Sequence, residues 1–116
     1  MMAINAREIL NEFMSGLGQM RKTNGEFIGK FLDLDSSAGS ALDAKTKELI
    51  GVAIGVYNRC QYCIVVHTRN AYKAGATRAE ILGAAEVAIA FGGGPSVAYS
   101  SAVLQAALNE FEHDFD

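Results

Sequence analysis

Start signals for α-helices recur along this chain, and they constrain its fold more than any other feature. Asn5 precedes AREILNEFMSGLGQM, Asp43 precedes AKTKELIGVAIGVY, and Thr77 opens ILGAAEVAIAF with Glu80 in the capping-box position. No stretch alternates convincingly between apolar and polar residues with the period of two that is typical of a half-buried strand. The sequence therefore predicts an all-α protein, a bundle of about six helices.

The other helix boundaries rest on weaker signals. Thr23, with Glu26 three residues later, is predicted to cap a helix that contains FIGKFLDL. Asn58 and Arg59 interrupt the apolar run that follows Asp43. The segment GGGP separates the last two helices, because Pro95 suits the first turn of SVAYSSAVLQAALNEF.

Length and composition limit the class of protein. The 116 residues suit one domain that covers the whole chain, and the formal charge of −3 argues against nucleic acid or an anionic membrane as a partner. The N-terminus lacks a basic region followed by an uninterrupted apolar one, so no signal peptide is predicted. No apolar run has the length of a membrane span. We therefore expect a cytoplasmic protein that binds neither nucleic acid nor membranes.

Two helices are unusually apolar for the surface of a small monomer. EILGAAEVAIAF and SVAYSSAVLQAAL carry few charges around their circumference. A helix that is apolar nearly all round must be buried on several sides. We predict that interfaces between identical subunits cover the excess; the alternative is a compact monomer with a large core.

Both cysteines of the chain lie near a histidine in the segment NRCQYCIVVHTRN. We predict a helix from roughly Cys60 to Ala74, ended by Gly75 as a left-handed cap. On such a helix Cys60, Cys63 and His67 share an arc of about 60° and point inward. The polar side of the helix is predicted to consist of Gln61, Thr68, Arg69, Tyr72 and Lys73.

This arrangement favours thiol chemistry. In a reducing compartment a Cys-x-x-Cys pair is more often catalytic or metal-binding than a structural disulfide. Cys60 lies at a helix start, where unpaired N–H groups and the helix dipole favour a thiolate. His67, one turn after Cys63, is placed to accept a proton from that thiol. These arguments leave open which sulfur reacts first.

Glu48 is the predicted fourth member of the site. It shares a helix face with Gly51 and Gly55. A glycine inside a helix costs about 0.5–1 kcal/mol relative to alanine, so two on one stripe indicate the close approach of another helix. A carboxylate at such a crossing could relay protons for the thiols.

The segment KELIGVAIGVYNRCQYCIVVHTRNAYKAGATRAEILGAAEVA resembles the carboxymuconolactone decarboxylase family, in its alkylhydroperoxidase D-like branch. The resemblance covers roughly residues 40–107. It implies an all-helical fold that assembles into homo-trimers or homo-hexamers. The positions that match the family pattern are Glu48, Cys60, Cys63, His67, Gly75, Thr77 and Glu80.

The resemblance also implies an activity, the reduction of a hydroperoxide or disulfide without haem, flavin or metal. It implies that Cys63 attacks the substrate, Cys60 resolves the product, His67 is the base and Glu48 belongs to the proton relay. The electron donor would be a dithiol, either a lipoyl or a thioredoxin-like protein. Tyr62 stands where alkylhydroperoxidase D has a histidine.

Three other functions compete with this one. The lactone decarboxylases after which the family is named generally lack the Cys-x-x-Cys pair, which argues against a lyase. Cys60, Cys63, His67 and Glu48 could together hold zinc, although ligands on one continuous helix converge only with strain. The thiols could also be buried spectators in a non-catalytic assembly protein. A c-type haem is excluded because Ile64 follows Cys63 where that motif needs histidine.

Overall fold

Helices follow one another through residues 3–116, the part of the chain that the computed structural model describes, and no β-strand occurs there. Met1 and Met2, with which the predicted domain begins, lie outside the described residues. The all-α prediction is confirmed. The elements are α1 (Ala6–Thr23), α2 (Gly25–Ser37), α3 (Ala44–Tyr57), α4 (Gln61–Lys73), α5 (Arg78–Gly92), α6 (Gly94–Tyr99), a π-helical turn (Ser100–Leu104) and α7 (Gln105–Phe111).

The last three elements form one continuous helical rod, residues 94–111, so residues 3–116 contain six helical rods, in agreement with the predicted number of about six. The π-helical turn in this rod was not predicted, because a π turn inside a helix has no capping signal of its own. Its residues Ser100, Val103 and Leu104 are buried. The turn therefore packs against the rest of the bundle through these three residues.

Three predicted caps are confirmed. The side chains of Asn5 and Asp43 each accept a hydrogen bond from the backbone N–H three residues later, at 3.1 and 2.7 Å. Thr77 and Glu80 form the reciprocal capping box. Bonds from backbone N–H groups to the carboxylates of Asp43 and Glu80 hold the pKa of each below its usual value.

The predicted cap at Thr23 is wrong. α1 continues through Thr23, and α2 begins at Gly25 after Asn24, which makes no side-chain capping bond. The Thr23 hydroxyl donates to the side-chain oxygen of Asn24 at 2.9 Å. The same hydroxyl also lies 3.4 Å from the Gln19 carbonyl of α1, so its hydrogen bonds are made at the end of α1 and not to α2.

α4 lies at the centre of the bundle and packs against α1, α3, α5 and α7. Because neighbours cover most of its circumference, the prediction that Thr68 and Tyr72 lie on a polar side is wrong. Both are buried, and the Tyr72 hydroxyl donates to the Leu108 carbonyl at 3.1 Å. Burial raises the pKa of Tyr72 above its usual value.

Charged residues connect the C-terminal segment to the bundle. The Arg7 guanidinium lies 2.9 Å from the carboxylate of Asp114 and stacks on the ring of Phe111. Arg69 reaches the same carboxylate at 3.4 Å. The hydrogen bond from Arg7 lowers the pKa of Asp114. These contacts bring residues from opposite ends of the chain together.

Several large apolar side chains remain exposed on this chain. Phe27, Phe31 and Leu34 follow one side of α2 at helical spacing, and each is more than half exposed. Phe91 of α5 is 82% exposed. None of the helices within residues 3–116 is long and apolar enough to cross a membrane. The predicted oligomer stays a prediction.

Candidate active site

A tight turn joins α3 to α4 and places the first cysteine. Arg59 adopts a left-handed backbone conformation, with φ of 55°, and is alone in this among the non-glycine residues of 3–116. The backbone N–H of Cys60 then donates to the Gly55 carbonyl at 3.0 Å. The break that Asn58 and Arg59 predict is therefore confirmed. Left-handed backbone is uncommon for a residue with a side chain, so this turn carries strain beside the thiols.

Cys60 is the N-cap of α4 and is joined to Cys63 by a disulfide, with 5.3 Å between their Cα atoms. The Cys60 sulfur accepts a hydrogen bond from the backbone N–H of Cys63 at 3.2 Å. This is the position in which a helix N-terminus favours negative charge on sulfur. When the disulfide is reduced, the same N–H can stabilise a Cys60 thiolate.

Two glycines of α3 let α4 approach closely, as the sequence predicts. A Cβ atom on Gly51 would lie 2.7 Å from the imidazole of His67, and one on Gly55 would lie 3.1 Å from the Cβ atom of Cys63. Contacts of 2.7 Å are not tolerated by real Cβ atoms. Because glycine has no side chain, these two positions leave the space that His67 and Cys63 occupy.

Glu48 and His67 meet across this crossing. Nδ1 of His67 lies 2.6 Å from Oε2 of Glu48, and their side chains are 32% and 20% exposed. An ionised carboxylate can only accept a hydrogen bond, so Nδ1 is the protonated nitrogen when Glu48 is charged. In the neutral imidazole Nε2 then carries the lone pair, which is what a general base requires.

A cavity of about 300 Å³ opens over the α3–α4 crossing. Cys63 and His67 border it, whereas Cys60 is not among the described residues that do so. Its two sides are a stripe of α3 and the end of α2 with the following loop. The remaining bordering residues are Asp35, Ala38, Gly39, Leu42, Lys47, Ile50, Gly51, Ile54 and Gly55.

Sequence reasoning brought the four proposed site residues together but missed the walls of the cavity. Lys47, Ile50 and Ile54 lie on the same side of α3 as Gly51 and Gly55. Ile50 and Ile54 follow Lys47 by three and seven residues, and the two glycines follow it by four and eight; this helical spacing was the available signal. The wall contributed by the loop after α2 had no signal, because its position depends on tertiary packing.

Tyr62 lies outside this cavity. Its hydroxyl donates to Oε1 of Glu12 at 2.8 Å, and it borders a separate groove with Phe13, Leu17 and Met20 of α1. The hydrogen bond to Glu12 raises the pKa of Tyr62. At the position where alkylhydroperoxidase D has a histidine, this chain thus has a phenol that connects α1 to α4.

The ligands considered for zinc have other partners in this geometry. The sulfurs of Cys60 and Cys63 are bonded to each other, and His67 is bonded to Glu48. Within residues 3–116, no group of three or more histidine, cysteine or acidic side chains is arranged to hold a metal ion.

Comparison with known proteins identifies the family. A model of the carboxymuconolactone decarboxylase family matches residues 25–106. The chain belongs to the carboxymuconolactone decarboxylase family. The crystal structure of an apo carboxymuconolactone decarboxylase family protein from Legionella pneumophila has the same fold. It superposes with a TM-score of 0.86, at 37% identity, covering 92% of this chain and 96% of that one.

Curated relatives of this carboxymuconolactone decarboxylase family protein give no activity by name. An uncharacterized protein of the cox locus in Paracoccus denitrificans is 33% identical over 100 residues, which is 84% of this chain and 89% of the relative. An uncharacterized protein of Cupriavidus necator is 33% identical over 95 residues, 82% of this chain and 83% of the relative. The family and fold are thus established, and the reaction must be argued from the site.

Proposed function

We propose that this protein is a dithiol oxidoreductase of the alkylhydroperoxidase D-like branch, which reduces organic hydroperoxides with electrons from an external dithiol. One observation carries the proposal: Cys63 is in disulfide contact with Cys60 and borders a cavity with His67, whose Nδ1 is bonded to Glu48. A thiol that reacts with a small molecule must reach a space that the molecule can enter. Cys63 meets this requirement.

In the first step His67 takes the Cys63 proton, and the thiolate attacks the terminal oxygen of the hydroperoxide. The O–O bond breaks as the S–O bond forms, so sulfur is oxidised to a sulfenic acid and the peroxide is reduced. The leaving alkoxide takes the proton back from His67 and departs as an alcohol. Glu48 stabilises the imidazolium that forms between these two transfers.

In the second step the Cys60 thiolate attacks the sulfur of the Cys63 sulfenic acid. The S–S bond forms, the S–O bond breaks, and the leaving hydroxide becomes water with the proton that the Cys60 thiol released. The backbone N–H of Cys63, 3.2 Å from the Cys60 sulfur, favours the thiolate that this attack needs. Helix-terminus electrostatics therefore suits Cys60 to the resolving role, while access to the cavity suits Cys63 to the attacking role.

An external dithiol then reduces the disulfide by two thiol–disulfide exchanges and leaves as its own disulfide. Over the whole cycle one hydroperoxide and one dithiol become one alcohol, one water and one disulfide. A lipoyl or thioredoxin-like protein is the proposed donor. Dihydrolipoamide is the small molecule that replaces a lipoyl protein as electron donor in the assay.

The proposal is tested with reduced protein and one equivalent of cumene hydroperoxide, followed by intact mass after alkylation of the remaining thiols. The wild type is expected to lose both thiols and to show the mass of an internal disulfide, two hydrogens below that of the reduced protein. Cys63→Ser should leave the peroxide unconsumed. Cys60→Ser should stop at a sulfenic acid that dimedone traps on Cys63.

Multiple turnover with dihydrolipoamide and a catalytic amount of protein completes the test. Consumption of peroxide in proportion to dihydrolipoamide supports the full cycle. Wild-type thiols that stay free in cumene hydroperoxide would overturn the proposed function. Full turnover by Cys63→Ser would overturn the assignment of the attacking sulfur.

A further inference from the structure

The cavity beside Cys63 has apolar walls and one cationic side chain. Leu42, Ile50 and Ile54 supply the larger apolar surfaces, and Lys47 is the one lysine or arginine among the described residues that border it. A lysine in a cavity of this kind attracts an anionic group while the surrounding surface binds a hydrocarbon. The proposed peroxide chemistry does not itself use this charge.

Lys47 is held in place by a hydrogen bond and by packing, and its positive charge has no ion-pair partner among residues 3–116. Its ammonium donates to the backbone carbonyl of Asp35 near the end of α2, and the Cδ and Cγ atoms of its stem lie beside Gly39. Asp35 also borders the cavity, but its carboxylate forms no ion pair with Lys47, and none of the ion pairs among residues 3–116 includes Lys47. An ammonium has three N–H donors, so two remain for a ligand.

Lys47 and Cys63 border the cavity at different levels along α3. Gly55 packs directly against Cys63, and Lys47 precedes Gly55 on α3 by about 12 Å along the helix axis at 1.5 Å per residue. Between them the α3 stripe presents Ile50 and Ile54. A molecule that contacts both Lys47 and Cys63 is therefore expected to be extended, with an apolar middle.

We propose that Lys47 binds the carboxylate of an amphipathic substrate, a fatty-acid hydroperoxide whose hydrocarbon chain crosses the cavity and whose peroxide group reaches Cys63. The inference rests on the proposed function and names its substrate class. Lys47 is then a residue that determines specificity and takes no part in the reaction itself. Small uncharged hydroperoxides would use Cys63 without this contact.

The test compares two substrates that differ in one charge, a fatty-acid hydroperoxide and its methyl ester. For each protein the ratio of kcat/KM for the acid to kcat/KM for the ester is measured at low salt. Lys47→Gln keeps an N–H donor for the Asp35 carbonyl but loses the charge, and it should lower this ratio about fivefold, the upper range for a solvent-accessible ion pair. Lys47→Arg should retain most of the ratio.

Lys73→Gln is the matched control, since Lys73 is exposed on α4 and does not border the cavity. The ratio should be unchanged in this variant. An unchanged ratio in Lys47→Gln, with the acid and ester reduced equally well by the wild type, would overturn the inference and leave the proposed function intact.

Binding to the oxidised protein separates the two proposals. Calorimetric titration of the disulfide form with decanoate requires no catalysis. Weaker decanoate binding by Lys47→Gln than by wild type and Lys73→Gln supports the anion site, even if no hydroperoxide is reduced and the proposed function fails. Equal decanoate binding by all three proteins contradicts the anion site.

Discussion

Gly51 of α3 lies directly against the imidazole of His67 in α4. A Cβ atom at this position would come within 2.7 Å of both Cγ and Nδ1 of the ring. The same Nδ1 is hydrogen-bonded to Oε2 of Glu48 at 2.6 Å. The orientation of His67 is therefore fixed from two sides, by a carboxylate that attracts it and by a helix that leaves it just enough room.

This contact predicts that Gly51→Ala displaces the imidazole and breaks its bond to Glu48. The free energy of unfolding should fall by about 1–3 kcal/mol, as for other overpacked sites. Peroxide reduction should fall by at least about tenfold if His67 is the base. Urea titration and stopped-flow kinetics with cumene hydroperoxide measure the two effects.

Gly18→Ala is the control for Gly51→Ala. Gly18 lies inside α1 and is exposed, and a Cβ atom added to it would meet no other atom within 4 Å. Alanine there should raise the free energy of unfolding by about 0.5–1 kcal/mol without changing turnover. Equal behaviour of the two variants would contradict the close approach at Gly51.

Glu48→Gln tests the role of the carboxylate while keeping its shape. The amide can donate as well as accept, so it no longer fixes the proton on Nδ1 of His67, and it cannot stabilise the imidazolium. We expect kcat/KM to fall by about tenfold or more, which corresponds to about 1.4 kcal/mol of transition-state stabilisation. Steady-state measurement of kcat/KM over a range of pH quantifies the loss.

Cumene hydroperoxide is the substrate for this comparison, because it carries no charge of its own. Circular dichroism establishes that Glu48→Gln is folded. Wild-type kcat/KM throughout the pH range would show that the Glu48–His67 bond has no part in turnover.

Tyr62 is predicted to be dispensable for the chemistry. It borders a different groove from Cys63 and His67, and its hydroxyl is occupied by Glu12. Tyr62→Phe should therefore leave kcat/KM within about twofold of wild type, as for other surface changes. A large loss would show that a proton passes through this position after all.

The same hydrogen bond can be followed by absorbance titration of the phenol. Glu12 raises the pKa of Tyr62, because the carboxylate accepts a bond that only the protonated phenol can donate. Glu12→Gln should lower the pKa of Tyr62. Subtraction of the Tyr62→Phe titration isolates this tyrosine from the others.

The local features of the fold could be predicted because they depend on near neighbours in the sequence. Asn5, Asp43 and Thr77 cap helices through residues three positions away, and the paired glycines of α3 indicated a close helix crossing. Tyr72 could not be placed, because its burial depends on α7, which follows it by more than thirty residues. The cavity wall formed by the end of α2 and the following loop escaped prediction because no local pattern indicates how this loop packs over α3.

The ion pair between Arg7 and Asp114 predicts how stability depends on pH. The pKa of Asp114 is lower in the folded protein than in the unfolded chain. Its contribution is therefore fully present above the unfolded value of about 3.9 and is lost as the pH falls through the folded value. Asp114→Asn should lower the urea midpoint at pH 6 and should differ progressively less from wild type below about pH 4.

Asp33→Asn is the matched control, since Asp33 is exposed on α2 and takes part in none of the ion pairs of residues 3–116. Its urea midpoint should follow that of wild type from pH 6 downward. A difference between Asp114→Asn and wild type that stays constant through this range would contradict the assigned role of the carboxylate.

Self-association is the remaining prediction, and the exposed apolar stripes give it a location. Phe27 is 73% exposed on the apolar stripe of α2. Val87 and Phe91, one turn apart on α5, are 60% and 82% exposed and form a second stripe, and exposed apolar surface of this kind is typical of interfaces. We propose that a second copy of the chain covers these stripes. Light scattering at micromolar concentration should give a mass at least twice the 12.4 kDa of one chain.

Phe27→Glu and Phe91→Glu test the two stripes separately. Each variant adds a charge at an exposed position, so the single subunit should still fold, while association between subunits should be weakened because the charge would be buried there. Gln19→Glu adds the same negative charge at an exposed position on α1, and it should leave the mass measured by light scattering unchanged. A wild-type mass of 12.4 kDa throughout the concentration range would establish a monomer, and the apolar stripes would then need another occupant.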